Sequence, residues 1–340
     1  MSDEATTLED IRWLPKLDPS LELEASNEEG KMVLPLFPLG PVAYAPGSTQ
    51  VLQIFEPRYR QMVSDVLLSG GRRFVTTMTN PEDNRELAQV GVVFYLEDLK
   101  EVSEQTKDQV KYICTHKVLD KRVTIHKVLN PADAVTAETY LKCEVSEITE
   151  EEQESDTSKE VELKKALENV AEAQELGEED VRFSKEAVDK VLFSKGVGDG
   201  TLWAAVDLWK QFLDARVQAT YRKLSAEMQA RLLTCLTDLG EKEKAKGQKQ
   251  DVSFEDLPAD LQRDVANYRE RLMDETAPLA EEQTIGIQRL LQTTSHDDRL
   301  QLFHNMVTKE QNRLVARRTL RAVFGEGKSD TTTKKEEEED

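Results

Sequence analysis

With 340 residues the chain is long enough for two domains or one large one, and no stretch in it is apolar for the ~18 residues that a membrane-spanning helix needs. The net charge of −21 is unevenly spread: residues 1–30 hold nine acids against two bases, 150–160 six against one and 326–340 seven against three, whereas 31–149 are almost balanced at fifteen against fourteen. The acidity therefore belongs to flanks and a linker, and it excludes the basic face that nucleic acid requires.

The first thirty residues read as a polar, proline-interrupted, disordered leader in which Trp13-Leu14 is the one pair with a reason to dock. Its acidic start, Met1–Asp10, matches neither a secretory signal nor a basic transit peptide. Three widely spaced cysteines, Cys114, Cys143 and Cys235, suit a reducing compartment.

From residue 33 the pattern is strand, corner, strand, helix, strand. Leu34 and Leu36 lie in a short strand ended by Pro38-Leu-Gly-Pro41, and Pro46-Gly47 makes a turn. Val51–Phe55 is a second strand. Pro57 takes the first position of a helix whose apolar face is Tyr59, Met62, Val63, Val66 and Leu67, and Gly70-Gly71 stops it. Arg73–Met78 and Val90–Leu96 continue as strands, separated by the Asn80–Asn84 loop. After a charged turn over Glu101–Asp108, Gln109–His116 and Arg122–Val128 alternate as a hairpin pair, and Tyr140–Val145 closes the set. Six or seven strands with one helix predict a small barrel plugged by that helix.

Leu34-Pro-Leu-Phe-Pro-Leu-Gly40, Ala45-Pro-Gly47, Ile54-Phe-Glu-Pro-Arg-Tyr-Arg60, Gly71-Arg-Arg-Phe74 and Val90-Gly-Val-Val93 together resemble the LON domain. This is the N-terminal, substrate-binding domain of the ATP-dependent Lon proteases, and it also occurs in cereblon-type and standalone proteins. The resemblance covers 31–149 and implies a PUA-like pseudo-barrel. It departs at Leu119-Asp-Lys-Arg-Val-Thr-Ile125, where the family often carries a Gly-Arg-x-Arg-Phe-like segment.

Residues 150–160 form an acidic linker, after which the period changes from two to 3.6. Val161, Leu163, Leu167, Val170 and Ala171 mark one helix, and Leu202–Leu213 opens a long central one. Met228, Leu232, Leu233, Leu236 and Leu239 mark a third, ended by Gly240 and followed by a Lys/Gln/Gly linker to Gln250. Ser253–Asp256 and Ser295–Asp298 carry the capping-box pattern, and the last helix runs through Leu300, Phe303, Val307, Leu314, Val315 and Leu320. The expected class is thus α+β: a LON-type barrel over 31–149, then an all-α bundle over 161–325 and an acidic disordered tail over 326–340. The Trp203/Trp209 helix, the Asp256–Asp264 entry and Ile287–Leu291 resemble the helical extension of standalone plant and algal LON-domain proteins. That resemblance implies a plastid, whereas the N-terminus leaves the cytoplasm as the alternative.

Chemistry is sparse. Gly325-Glu-Gly-Lys-Ser329 lacks the first glycine of a phosphate loop, has Ala322 in its place, and follows a helix instead of a strand. Gly196–Gly200 is a corner, and no Gly-x-Ser-x-Gly elbow occurs. Cys114, His116, His126 and Cys143 could be drawn into a metal site, but their spacing matches no zinc pattern and core filling explains them. His296 and His304, with Asp297, Asp298 and Arg299, read as a solvated face, and Glu281-Glu282 as helix-surface charges. Arg58, Arg60, Arg72 and Arg73 either clasp a carboxylate or tie the signature helix to its neighbours. No catalytic, cofactor-binding or metal residue is assigned, no cofactor is expected, and the peptide-contacting residues are left open.

The reading that follows from the resemblance is a non-catalytic module that binds client polypeptides, in protein quality control, without nucleic acid or membrane. Strand addition at a barrel edge or packing beside the plug helix would be the means. The alternative is an adaptor whose helical half engages a protease or ubiquitin-ligase machine. A peptidase is the third reading, against which the missing ATPase and Ser-Lys protease motifs count.

Overall fold

The computed structural model describes residues 7–150, 157–177, 179–183, 185–193, 199–244 and 258–325. The segments Ser253–Asp256, 194–198 and 326–340, which include most of both glycine-rich stretches and one expected capping box, lie outside the described residues. Two compact units are present: Met1–Ile148 with Val206–Gln292, and Thr149–Ala205 with Thr293–Asp340. The fold is α+β, with a six-stranded β domain in the first unit and a helical C-terminal part whose helices divide between the two units.

In the first unit the strands are β1 (Lys31–Leu36), β2 (Thr49–Ile54), β3 (Arg73–Thr76), β4 (Val90–Glu101), β5 (Tyr112–Val128) and β6 (Leu141–Glu147), with helix α1 (Pro57–Leu68) between β2 and β3. Two single-turn helices, α2 (Ser103–Thr106) and α3 (Asp133–Thr136), occupy connections. The sheet order is β2-β5-β4-β3-β1-β6, and a further β5–β6 pairing closes the circuit. The expected hairpin turn between His116 and Arg122 is absent. β5 is one strand of 17 residues that runs straight through Asp120-Lys121. Its first half pairs with β2, its second with β6, and most of its length with β4, whose register slips between Val92 and Phe94 and again between Leu96 and Asp98. Such slips bend a strand, which lets one long element turn the barrel corner.

The local chemistry of the signature stretch is realised as the residues dictate. Gly47 has φ of +80° in the turn before β2, and Pro57 opens α1 at its first turn. Tyr59, Met62, Val63 and Val66 are buried, but Leu67 is 36% exposed, because the stripe ends one turn before the helix does. Tyr59 stacks on Phe37 at 3.8 Å, and Phe74 and Phe94 extend the cluster at 6.0 Å and 5.4 Å. The other face of the sheet has its own core, in which Leu36, Val75, Val93, Ile125, Cys143 and Val145 pack with Leu14 and Leu17. This two-sided burial makes Val90–Phe94 an unbroken apolar run around one glycine.

Leu14 and Leu17 belong to the segment expected as a disordered leader, and they show that it lies along the barrel. The Leu14 N–H donates to the Leu87 carbonyl (2.8 Å), Trp13 bridges Ala88, and the Ser26 N–H donates to the Glu144 carboxylate. That bond, with Lys31 and Lys127 nearby, holds the Glu144 carboxyl down at about 2. The acidic composition of the leader hid the Ile11, Leu14 and Leu17 contacts that fasten it.

The helices of the first unit come from further along. The expected break at Gly240 is also absent: α6 (Asp199–Lys244) is a single helix of 46 residues. A lone helical glycine is unfavourable by only about 1 kcal/mol. Helix α7 (Ala259–Glu281) contains Pro278, and immediately after it Glu282–Gly286 widens into a π-helical segment before α8 (Ile287–Gln292). Ile285 in that segment joins Ile11, Met78 and Ala88 in a small core. Gln288 Nε2 donates to the Val90 carbonyl (2.8 Å), and Gln292 Nε2 to that of Asp10 (2.6 Å). The buried Arg122 guanidinium caps the end of α8 by donating to the Leu291 carbonyl, where a cation meets the negative pole of the helix. Arg122 stands within the segment that departs from the family pattern. Glu282, expected as a surface charge, accepts the Trp209 indole N–H at 2.8 Å.

The second unit holds α4 (Thr157–Leu176), α5 (Lys185–Phe193), the start of α6 and α9 (His296–Gly325). Ser295 caps α9, its Oγ accepting the Asp298 N–H at 3.3 Å. Lys159 meets Asp297 (2.9 Å) and Arg317 meets Glu179 (2.8 Å), so α4 and α9 run parallel. Leu163, Leu167, Val170, Phe303, Val307 and Leu314 are buried, while Val315 and Leu320 fall off the stripe and are exposed.

One close approach can be tested directly. A Cβ at Gly91 would stand 2.7 Å from the Thr76 carbonyl oxygen, so β3 and β4 must separate to admit it. Gly91→Ala is expected to lower the unfolding free energy by about 2 kcal/mol, read as a fall in the urea midpoint at unchanged slope.

Candidate functional site

The residues singled out from the sequence do not converge. His126 is exposed on β5 and hydrogen-bonded to Ser146 Oγ at 2.8 Å, whereas Cys114 and Cys143 are buried on different strands. The Cys143 thiol lies 3.6 Å from the Leu34 carbonyl. Burial pushes the Cys114 thiol up to about 12 and that of Cys143 up further, which disfavours the thiolates that zinc needs. Among the described residues no group of three His, Cys, Asp or Glu side chains could hold a metal ion. Arg58 and Arg60 of the signature helix do structural work. Arg58 pairs with Glu56 at 2.8 Å and lies over the Tyr59 ring, and Arg60 donates to the carbonyls of Phe55 (2.8 Å) and Asp108 (2.7 Å). Arg72 and Arg73 are exposed.

In the second unit the face expected to be solvated is engaged. His296 Nε2 is 3.1 Å from Glu160, Asp297 meets Lys159, and Arg299 is buried between Glu150 (2.7 Å), the Thr293 carbonyl (2.9 Å) and the face of Trp203. Parallel packing on α4 explains this, because it brings polar positions of α9 against polar positions of its neighbour. Further along, the same two helices flank an open groove of about 500 Å³ that includes Ala173, Leu176, Leu314, Val315 and Ala322.

The barrel itself offers one feature with recognition chemistry, the outer side of β2. Antiparallel strands expose their backbone bonding groups alternately to either side. The Val118 N–H donates to the Ser48 carbonyl (2.9 Å) and the Lys111 N–H to that of Ile54 (3.0 Å), and between them Gln50 faces His116 and Leu52 faces Cys114. The intervening residues Thr49, Val51 and Gln53 therefore turn their N–H and C=O groups away from β5, where no other strand among the described residues pairs with them. Their side chains are exposed, Val51 by 61%, and Phe55 just beyond the strand by 55%.

The strand is held firmly at both ends. The Gly47 N–H donates to the Val118 carbonyl (2.9 Å), Lys117 Nζ to that of Gly47, and Arg60 to that of Phe55. Three usual protections of an edge are missing from it: Thr49–Phe55 contains no charge and no proline, and its register with β5 has no bulge. In the sequence Val51–Phe55 reads as a strand with nothing to place it at an edge. Only the sheet order reveals that, although the uncharged run was a visible signal.

These features define a closed barrel with one open, uncharged edge strand and an outer wall completed by helices. A family model described as the ATP-dependent protease La (LON) substrate-binding domain matches residues 33–309, and the chain belongs to that family. Among solved structures it is similar to the Lon N-terminal domain protein from Xanthomonas campestris, at 22% identity and a TM-score of 0.32 over 48% of this chain and 90% of that one. It is also similar to the N-terminal domain of the Mycobacterium avium complex Lon protease, at 10% identity and a TM-score of 0.33 over 52% and 95%. No curated protein matches the chain.

Behind the open strand His116, paired with Gln50, is wholly buried. Its ring meets Phe74 edge-on at 5.2 Å and Phe94 at 5.7 Å. Burial lowers its pKa to about 4, and the adjacent backbone of Gln50 and Cys114 offsets only part of that. The unfolded chain accepts a proton near pH 6.5 that the fold refuses until about 4, so stability is full above 6.5 and declines as pH falls through that window. The contribution of this one group is expected to reach about 3 kcal/mol. His116→Phe should remove that portion of the acid sensitivity, measured as unfolding free energy against pH.

Proposed function

We propose that this protein is a non-catalytic polypeptide-binding protein that recognises exposed segments of client chains in protein quality control. The observation that carries the reading is the substrate-binding family match over residues 33–309. The LON substrate-binding domain is a non-catalytic module. Apolar side chains left open on this barrel, among them Val33, Val51 and Phe55, support the reading because they provide surface that an unfolded chain can cover. Among the described residues no helix is long and apolar enough to cross a membrane.

A second reading adds delivery. The groove between α4 and α9, with Leu176 and Val315 exposed beside it, is a surface on which a protease or ligase component could rest while the barrel holds the client. A mutation confined to that groove, such as Val315→Asp, should then abolish recovery of such a component and leave client binding intact.

The primary reading predicts roughly micromolar binding of a reduced, carboxymethylated protein and no binding of its native form, as weak transient recognition gives. Fluorescence anisotropy with and without ATP checks it. Equal affinity for native and unfolded forms, or none for either, would overturn it.

A further inference from the structure

We propose that the outer side of β2 is the docking strand, and that its ligand is an extended, uncharged segment of another polypeptide that adds to the barrel as a new strand. The inference rests on the polypeptide-binding reading and specifies where and how the segment is held.

Three observations converge. Thr49, Val51 and Gln53 direct three N–H donors and three carbonyl acceptors outward in strand geometry, a row that an extended backbone matches group for group. Both ends of the strand are fastened, by Gly47 and Lys117 at the start and by Arg60 at Phe55, so the edge is already set in the conformation a partner needs. Thr49-Gln-Val-Leu-Gln-Ile-Phe55 also lacks the charges, the proline and the bulge that keep edges from pairing.

The occupant follows from charge. Thr49–Phe55 carries no ionisable side chain, so a charged strand laid on it would gain no counter-charge from β2. That makes the chain's own 326–340, with seven acids and three bases, and 151–156, with four acids in six residues, poor occupants. Val51 and Phe55 instead offer apolar contact to a segment with small apolar residues at alternate positions. Because the backbone supplies the affinity, many sequences qualify, which is what recognition of unrelated clients requires.

The test uses the full chain and a capped, fluorescein-labelled octapeptide of alternating Val and Thr. Val51→Pro removes an outward donor without touching the β5 ladder, and proline is tolerated where the N–H of an edge strand faces solvent. It should weaken binding about tenfold at unchanged melting temperature. Leu68→Ser, on the exposed end of α1, should leave binding unchanged. In parallel, peptides N-methylated at single positions should lose affinity for the wild-type protein at every second residue only. This alternation is readable even if Val51→Pro fails to fold.

If the octapeptide binds but neither Val51→Pro nor any N-methylation pattern matters, the edge proposal falls and polypeptide binding survives. Loss in Leu68→Ser alone would move the site to the helix and overturn the proposal. If neither the octapeptide nor an unfolded protein binds, both fall. A concentration-dependent dimer that Val51→Pro dissociates would assign the edge to a second copy of this chain and overturn it as well.

Discussion

Everything in the barrel depends on one strand serving three neighbours. β5 must offer hydrogen bonds to β2, β4 and β6, and no strand can satisfy three partners along the same stretch. Its 17 residues solve the problem by division: the first half takes β2 and the last third takes β6, while β4 slips register twice to stay alongside. The same division leaves β2 with a neighbour on one side only. Closure of the barrel and openness of its edge are thus two results of a single geometric constraint.

A second constraint is that this small sheet is buried on both faces. One face carries the aromatic cluster of Phe37, Tyr59, Phe74 and Phe94, and the opposite face must be covered as well. Leu14 and Leu17 from the N-terminal segment and Ile285 from the π-helical segment supply parts of that cover. The polar clasps of Gln288, Gln292 and Arg122 fix the helix in place through backbone carbonyls, which carry no sequence signature on the receiving side.

The sequence therefore disclosed what is local and concealed what is distant. Pro57, Gly47 and the Tyr59–Val66 stripe announce the plug helix and its preceding turn because each acts within one turn of chain. The stretch between His116 and Arg122 looked like a reversal, yet Asp120-Lys121 ride an exposed part of a continuous strand. Gly240 looked like a stop, but a single glycine is a weak obstacle inside so long a helix. Glu282 and Arg299 read as surface charges since their partners lie far along the chain or on another helix, and Arg122 read only as the start of a strand because the carbonyl it caps is also distant. The docking edge was legible as a strand and not as an edge, because position in a sheet is a property of the order of pairing.

The fastening of the leader has a practical corollary for anyone who trims this protein. The recognisable family motif begins near residue 33 and the last barrel strand ends at Glu147, so a fragment cut to those limits is the natural choice at the bench. Such a piece would be stripped of Ile11, Leu14, Leu17 and Ile285 at once, and the wall formed by Met78, Ala88 and Val93 would meet water. Its stickiness toward unfolded chains would then report a wound left by the scissors, and only the uncut molecule can speak for the native surface.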